Sequence, residues 1–357
     1  MKILVGLSGG VDSTVAALIL KEQGHEIEGA IMSIWTDDGR LAEKGVRNAC
    51  YGPDEAVDIK GAEKIADALG IPFHVIKCSE KYNELVLNNF KSEYIKGRTP
   101  NPCIRCNAMI KFGAFPELAK MQGVKFDKFA TGHYARIEQD KKGRYFLKQG
   151  IVPQKDQSYF LHRLTQEQLS KIILPLGEYT KEEIRTIAKA HGLEVAEKPD
   201  SQDFFDGDYN ILLDVKEKEG NIINTEGKIL GKHNGIWNYT VGQRKGIGIS
   251  APEPLYVIEL KSATNEVVVG YRDKTFNKGL IATDINWQSI DFPNNPINTK
   301  AKIRSTQTPT DVLIEPISEN SAKVTFTDLQ KSIAIGQSVV FYNNDIVLGG
   351  GIINEVF

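Results

Sequence analysis

A chain of 357 residues, 41% hydrophobic and 25% charged with a formal net charge of −2, has the length of two or three domains and the make-up of a globular protein. That charge balance excludes a polyanion-binding surface spread over the whole molecule, so any nucleic-acid surface has to be local. No run approaches ~18 uninterrupted apolar residues and the start, from Met1 to Val5, enters a strand pattern directly, so neither a membrane span nor a secretory leader is expected and the chain is read as cytoplasmic.

The first element is an apolar strand at residues 3–7. It is followed by Ser8-Gly9-Gly10-Val11-Asp12-Ser13 and an apolar helix pattern from Thr14 to Lys21. A strand, a glycine-rich turn and a helix N-terminus make a cradle for phosphate, where backbone N–H groups and the helix dipole converge. Gly9 and Gly10 let the chain turn and an anion approach, Ser8 and Ser13 can donate to phosphate oxygens, and Asp12 can hold a metal ion or order the loop. No Lys follows the glycines, so the loop is not of the GxxxxGK[ST] type. Strand patterns at 26–32, 73–76 and 128–131, with helices at 58–69 and 83–95, predict an α/β domain around a parallel sheet. In such sheets the ligand lies beyond the carboxyl ends of the strands, which places the glycine-rich loop, Met32, Cys78 and Thr131-Gly132-His133 on one rim.

Next comes Gly97-Arg98-Thr99-Pro100-Asn101-Pro102-Cys103-Ile104-Arg105-Cys106-Asn107, whose two prolines predict an extended chain. A CxxC is half a metal site, a redox pair or a reactive thiolate with a neighbour, unless both thiols are merely buried. No second CxxC or His pair follows. Arg98, Arg105 and Lys111 are expected to lower the thiol pKa values. The other two cysteines, Cys50 and Cys78, also lie in the first third of the chain, and structural disulfides are a poor expectation in the cytosol.

Beyond residue 200 the texture changes to Gly-rich turns and short strands, among them 255–260 and 266–269. From about 280, short strands at 302–305, 312–315, 323–326, 338–342 and 346–353 predict a small antiparallel β-barrel. The expected division is a catalytic domain at 1–203, a small connecting domain at 204–276 and a C-terminal barrel at 277–357.

Ser8 to Ser13 resemble the pyrophosphate loop of the ATP pyrophosphatases, with their adenine nucleotide alpha-hydrolase-like fold. Arg98-Thr99-Pro100-Asn101-Pro102 with Cys106-Asn107, Ala130-Thr131-Gly132-His133-Tyr134, Lys155 to Leu161, Lys198 to Asp203 and Gly349 to Ile353 follow in order. In that order they resemble the tRNA-specific 2-thiouridylases over essentially the whole chain. The resemblance implies adenylation of the carbon-2 oxygen of the wobble uridine in tRNAs for Lys, Glu and Gln, then displacement of AMP by sulfur. It implies ATP and Mg2+ as cofactors, with ATP at Gly6, Leu7, Ser8, Gly9, Gly10, Val11, Asp12 and Ser13, and Met32 and Gly132 beside its adenine or ribose. Asn101, Pro102 and Cys103 would meet the target base, and Cys106 falls at the nucleophile position, so that Cys103, Cys106 and Asp12 are the candidate catalytic residues. Lys155, Asp156, Gln157, His133, Arg304, Ser305 and Gln337 would touch tRNA, and the basic stretch Tyr239 to Gly246 suits RNA phosphates.

The chain departs from that pattern at one point. Members usually carry a second, persulfide-bearing cysteine in a segment like Asp-Ser-x-x-Ile-Cys-Phe, whereas here Asp200-Ser201-Gln202-Asp203-Phe204-Phe205 has none, and no cysteine lies beyond Cys106. The common Asn-Pro-Asp has instead become Asn-Pro-Cys at Cys103. One expectation is a four-iron four-sulfur cluster on Cys103, Cys106 and either Cys50 or Cys78, presenting hydrosulfide to the activated base, as in iron–sulfur-dependent tRNA thiolases. The rival is a persulfide relay on Cys103 or Cys106 with a neighbouring thiol resolving it. Expected partners are tRNA and a sulfur donor (hydrosulfide, a cysteine desulfurase or a sulfur-relay protein), with the chain a monomer. An ATP-dependent amidating ligase and an RNA-binding relic without chemistry are the competing classes.

Overall fold

The structure is a computed structural model and describes residues 1–36, 49–193, 204–205 and 207–357. Two compact units emerge. The first holds Met1–Leu87, Pro102–Gly207 and Asp345–Val347; the second holds Asn88–Asn101, Asp208–Asn344 and Leu348–Phe357. The residues expected to form a connecting domain and those expected to form a barrel thus share one unit. Among the described residues no helix is long and apolar enough to cross a membrane.

The first unit is built on strands β1 (Lys2–Gly6), β2 (Glu26–Ser33), β3 (Phe73–Lys77), β4 (Lys128–Ala130) and a later Ile172–Ile173 pair, with helices α1 (Val11–Glu22) and α2 (Glu55–Leu69) as crossovers. The spatial order is β3-β2-β1-β4 and then Ile172–Ile173, all parallel. Ile3, Leu4 and Val5 are buried on both faces, as a central parallel strand requires. Ile3, Val5 and Leu7 pack with Leu18, Leu20, Ala62, Ile65 and Ala66 into one core. The chain winds from β1 to β2 and β3 on one side and returns to β4 on the other, so the order reverses between β1 and β4. A crevice opens at such a reversal, and both the glycine-rich loop and Thr131-Gly132 leave from it. Helix α3 (Lys181–Ala190) packs Ile184 and Ala188 against Val11, Val15, Ala16 and Ile19 of α1.

The CxxC is helical, not extended: Pro102 opens a helix Pro102–Cys106 that runs into a wide, π-type segment Asn107–Ala114 and then Phe115–Met121. Proline fits a first helical position because its missing N–H would have no partner there. The wide segment releases carbonyls that Gln168 collects: its Nε2 donates to the Ala108 oxygen at 2.8 Å and the Phe112 oxygen at 3.0 Å.

The second unit contains a mixed four-stranded sheet, in which Gly220–Asn224 pairs parallel with Glu266–Gly270, flanked by Ile229–His233 and Tyr256–Lys261. It also contains the barrel. Strands Phe276–Asn286, Ser321–Lys331, Thr310–Ser318, Ile297–Lys302, Ser338–Asn343 and Ile346–Val356 follow in that spatial order, and the first pairs with the last. Leu280, Ile314, Val324, Phe326, Val339 and Phe341 fill the interior. The strand expected at 302–305 ends at Lys302. There the Ile303 N–H donates to Gln307 Oε1 (3.0 Å) and the Gln307 N–H to the Arg304 oxygen (3.2 Å), closing a turn that carries Arg304 and Ser305.

Candidate active site

The glycine-rich loop is a tight knot. Gly9 has φ 72°, a left-handed conformation suited to glycine. The Ser8 N–H donates to Ser13 Oγ at 3.1 Å, the two serine hydroxyls lie 3.2 Å apart, and Thr14 Oγ1 donates to the Gly10 oxygen at 2.8 Å. Gly10 caps α1 without a side-chain bond, so the cap leaves the first N–H groups to a ligand. Gly132 passes so close that a Cβ there would lie 2.7 Å from the Asp12 carbonyl carbon and the Ser13 nitrogen, a contact that only glycine permits. Met32 lies at the carboxyl end of β2, beside Ile76 of β3. Asp12 is paired from two sides: Oδ1 accepts from the Tyr134 hydroxyl at 2.7 Å, and Lys181 Nζ donates to Oδ1 at 2.8 Å and Oδ2 at 2.9 Å.

The thiols gather around Tyr82 of the same unit. Cys103 and Cys106 share one helix face at i, i+3 spacing. Cys78 caps the helix Ser79–Tyr82, its carbonyl accepting the Tyr82 N–H at 2.8 Å. Cys50 precedes Tyr51, which stacks on Tyr82 with centroids 5.4 Å apart, while Trp35 meets Tyr51 edge-on at 4.9 Å. Burial pushes the Tyr82 phenol well above its usual range, and Cys106, Cys50 and Cys103 push it further. The Cys106 thiol is pushed up to about 12 by burial, against the pull of Lys111, with Cys50 and Cys78 adding to the rise. Burial, and secondarily Glu55, takes Cys78 to about 12. The expectation of basic neighbours lowering the thiol pKa values fails for Cys106: desolvation exceeds the effect of Lys111, while Arg105 Nε donates to the Leu85 carbonyl.

Among the described residues no three His, Cys, Asp or Glu side chains are grouped so as to hold a metal ion. Cys50, Cys103 and Cys106 all lie near Tyr82, and Cys50 and Cys78 both act on Cys106.

Comparison with known proteins agrees with the motifs. The tRNA methyl transferase HUP domain matches residues 1–205, the tRNA methyl transferase PRC-barrel domain 211–271 and the aminomethyltransferase beta-barrel domain 277–353. The tRNA-specific 2-thiouridylase MnmA of Endomicrobium trichonymphae is 51% identical over 99% of both chains. The chain belongs to the MnmA/TrmU family. The MnmA of Geotalea uraniireducens is 48% identical over 98% of this chain and 94% of its own. Among solved structures, a 4-thiouridine synthetase–RNA complex with bound ATP aligns over 59% of this chain and 45% of its own at 20% identity and a TM-score of 0.34, too slight a likeness to add anything.

The residues that the MnmA/TrmU resemblance assigns to RNA also make contacts within the fold. Asp156, 8% exposed, accepts from Gln149 Nε2, the Gly150 N–H, the Ser158 N–H and Ser158 Oγ at 2.9–3.2 Å. A carboxylate this buried needs such donors. Gln157 braces Tyr134, its Oε1 accepting the Tyr134 N–H at 2.9 Å. Lys155 lies in the turn just before, its N–H on the Val152 oxygen. His133 shares a 2.7 Å hydrogen bond with Thr131 and packs on Phe112. Burial, then Lys111, holds its pKa well below the usual range, so it is neutral.

In the second unit the Thr99 N–H donates to the Ile335 oxygen at 2.8 Å, beside Gln337, and exposed Arg304 reaches the Ser332 oxygen at 2.7 Å. Asn101 and Pro102 are where the chain passes from one unit to the other. The motif from Lys198 to Asp203 lies outside the described residues, but its continuation does not: the Tyr51 N–H donates to the Phe204 oxygen at 2.9 Å. Cys50 is therefore next to the segment in which the resemblance leads one to expect a second cysteine. Sequence reasoning missed Lys181 and Gln168, and it quoted Tyr134 without its role. A Thr180-x-x-Glu183 capping box marks the start of α3, yet no local signal names Asp12 as the partner of Lys181.

Proposed function

We propose that this chain is an ATP-dependent sulfurtransferase that converts the wobble uridine of tRNAs for Lys, Glu and Gln to 2-thiouridine. The observation that carries the reading is the union, in one compact unit, of a phosphate cradle at the sheet's switch point with a nest of thiols. The carbon-2 oxygen of uridine is a poor leaving group. Its attack on the α-phosphorus of ATP forms an O–P bond and expels pyrophosphate, whose charge the α1 N-terminus and the loop N–H groups receive. Magnesium belongs to the substrate, as MgATP. The barrel turn with Arg304 and Ser305, and Gln337 nearby in sequence to Ser332, would bear on tRNA.

Sulfur is carried as a persulfide on Cys103 or Cys106. A thiol at about 12 is protonated at neutral pH and a weak nucleophile, whereas the terminal sulfur of a persulfide ionises more readily. That sulfur bonds to carbon 2 as AMP leaves. A neighbouring thiolate, Cys50, then attacks the carrier sulfur, forming a disulfide and releasing the thiouridine sulfur; an external dithiol reduces the disulfide. The persulfide comes from a cysteine desulfurase or sulfur-relay protein.

The test supplies purified protein with MgATP, substrate tRNA and a persulfide donor, and measures AMP and 2-thiouridine. One AMP per thiouridine is expected, with Cys106→Ser inactive, Cys50→Ser arrested before release and Cys78→Ser active. AMP formed with ammonia incorporated would make the chain an amidating ligase, and tRNA binding without AMP would make it a relic. Activity that tracks bound iron and needs hydrosulfide would overturn the relay and leave thiolation standing.

A further inference from the structure

The loop from Ser8 to Ser13 has a charge deficit. It carries the carboxylate of Asp12 and no cation, although a polyphosphate brings several negative charges at close range. The fold supplies a cation from 169 residues away: Lys181 Nζ lies 2.8 and 2.9 Å from the two Asp12 oxygens. Its side chain is 11% exposed and lies over the Tyr134 ring, 5.9 Å from the centroid, while the Tyr134 hydroxyl donates to the same Asp12. The capping box of Thr180 and Glu183 fixes the first turn of α3, and the shared core of Ile184 and Ala188 with Val11 and Val15 ties α3 to α1.

The placement is unusual for a lysine with only a structural duty. Lys181 is the first residue of its helix, where the dipole is positive and a cation is disfavoured. Asp12 lies in the first turn of α1, so two helix N-termini and one ammonium converge on a single carboxylate. An anion brought to that point is attracted by all three. We propose that Lys181 is the phosphate-binding cation of this loop, held on Asp12 and shared with the pyrophosphate portion of ATP when the nucleotide enters. It does the work of the lysine that GxxxxGK[ST] loops carry in sequence, and the proposal rests on the ATP-dependent reading above.

The test is calorimetric titration of the full chain with inorganic pyrophosphate in EDTA, which removes metal bridging. Lys181→Met should weaken binding by about tenfold or more, as loss of a charge-assisted hydrogen bond does. Asp12→Asn, which frees Lys181, should bind at least as tightly as the unmodified chain. The charge-balanced double variant Lys181→Met/Asp12→Asn should stay weak, with a thermal midpoint near that of the unmodified chain, and Lys181→Arg should recover part of the affinity. If the double variant binds as well as the unmodified chain, Lys181 only neutralises Asp12 and the proposal falls; it falls too if the unmodified chain does not bind pyrophosphate. Lys181-dependent binding by a chain that makes no AMP with ATP and tRNA would sink the functional reading and leave this one intact.

Discussion

Cys106 illustrates how environment, not residue type, sets reactivity. The positive charge of Lys111 acts on its thiol in the direction the sequence suggests, but burial acts against it and is the larger effect, giving a pKa of about 12. The thiolate fraction below that pH rises tenfold per pH unit. Alkylation of Cys106 by iodoacetamide, followed by the mass of its peptide, should therefore accelerate about tenfold per unit from pH 7 to 9 without levelling. A plateau in that range would mean that the thiol is already ionised. Asp156 makes the complementary point: its identity within Lys155-Asp156-Gln157 says nothing of the four internal donors that hold it in the turn before Ser158.

At the scale of elements, the wide helix Asn107–Ala114 has a stated cause and a cost. Its released carbonyls are satisfied by Gln168, which also closes a capping box with Thr165 at the start of its own helix. One side chain thus couples two helices, one of which carries Cys106 at its junction. Gln168→Ala removes these bonds and is expected to lower stability by about 2 kcal/mol, read as a fall in the unfolding midpoint. It should also reduce the rate of thiolation while leaving the KM for ATP unchanged, because the phosphate loop does not touch Gln168. An unchanged thiolation rate would show that the wide segment does not position Cys106. The strand order β3-β2-β1-β4 was foreseeable only in outline: the βαβ spacing predicts parallel neighbours, but which side of β1 receives β4 is decided by burial of the sheet's two faces.

At the scale of the molecule, a net charge of −2 over 357 residues leaves RNA affinity to local cations. Arg304 is exposed on a barrel turn in the unit that does not hold the phosphate loop. Arg304→Ala should weaken tRNA binding and lower the slope of log affinity against log salt by about one, with pyrophosphate affinity unchanged. A loss of pyrophosphate binding together with tRNA binding would contradict that division of labour.

Motifs whose meaning is local were legible in the sequence. Ser8 to Ser13 after a strand, the parallel pattern of the first half and the short strands of the barrel each depend on neighbours within a few residues. So does the family assignment, which rests on ordered strings of residues. What the tertiary structure decided depends on residues far apart in the chain. Lys181 meets Asp12, and Cys50 arrives beside Phe204, because packing between helices and loops sets those distances. The inward turn of Asp156 and the neutrality of His133 follow from burial, which a sequence contains only implicitly. Chemistry in this protein is written locally, while the charge state and partner of each group are set by the environment that folding builds around it.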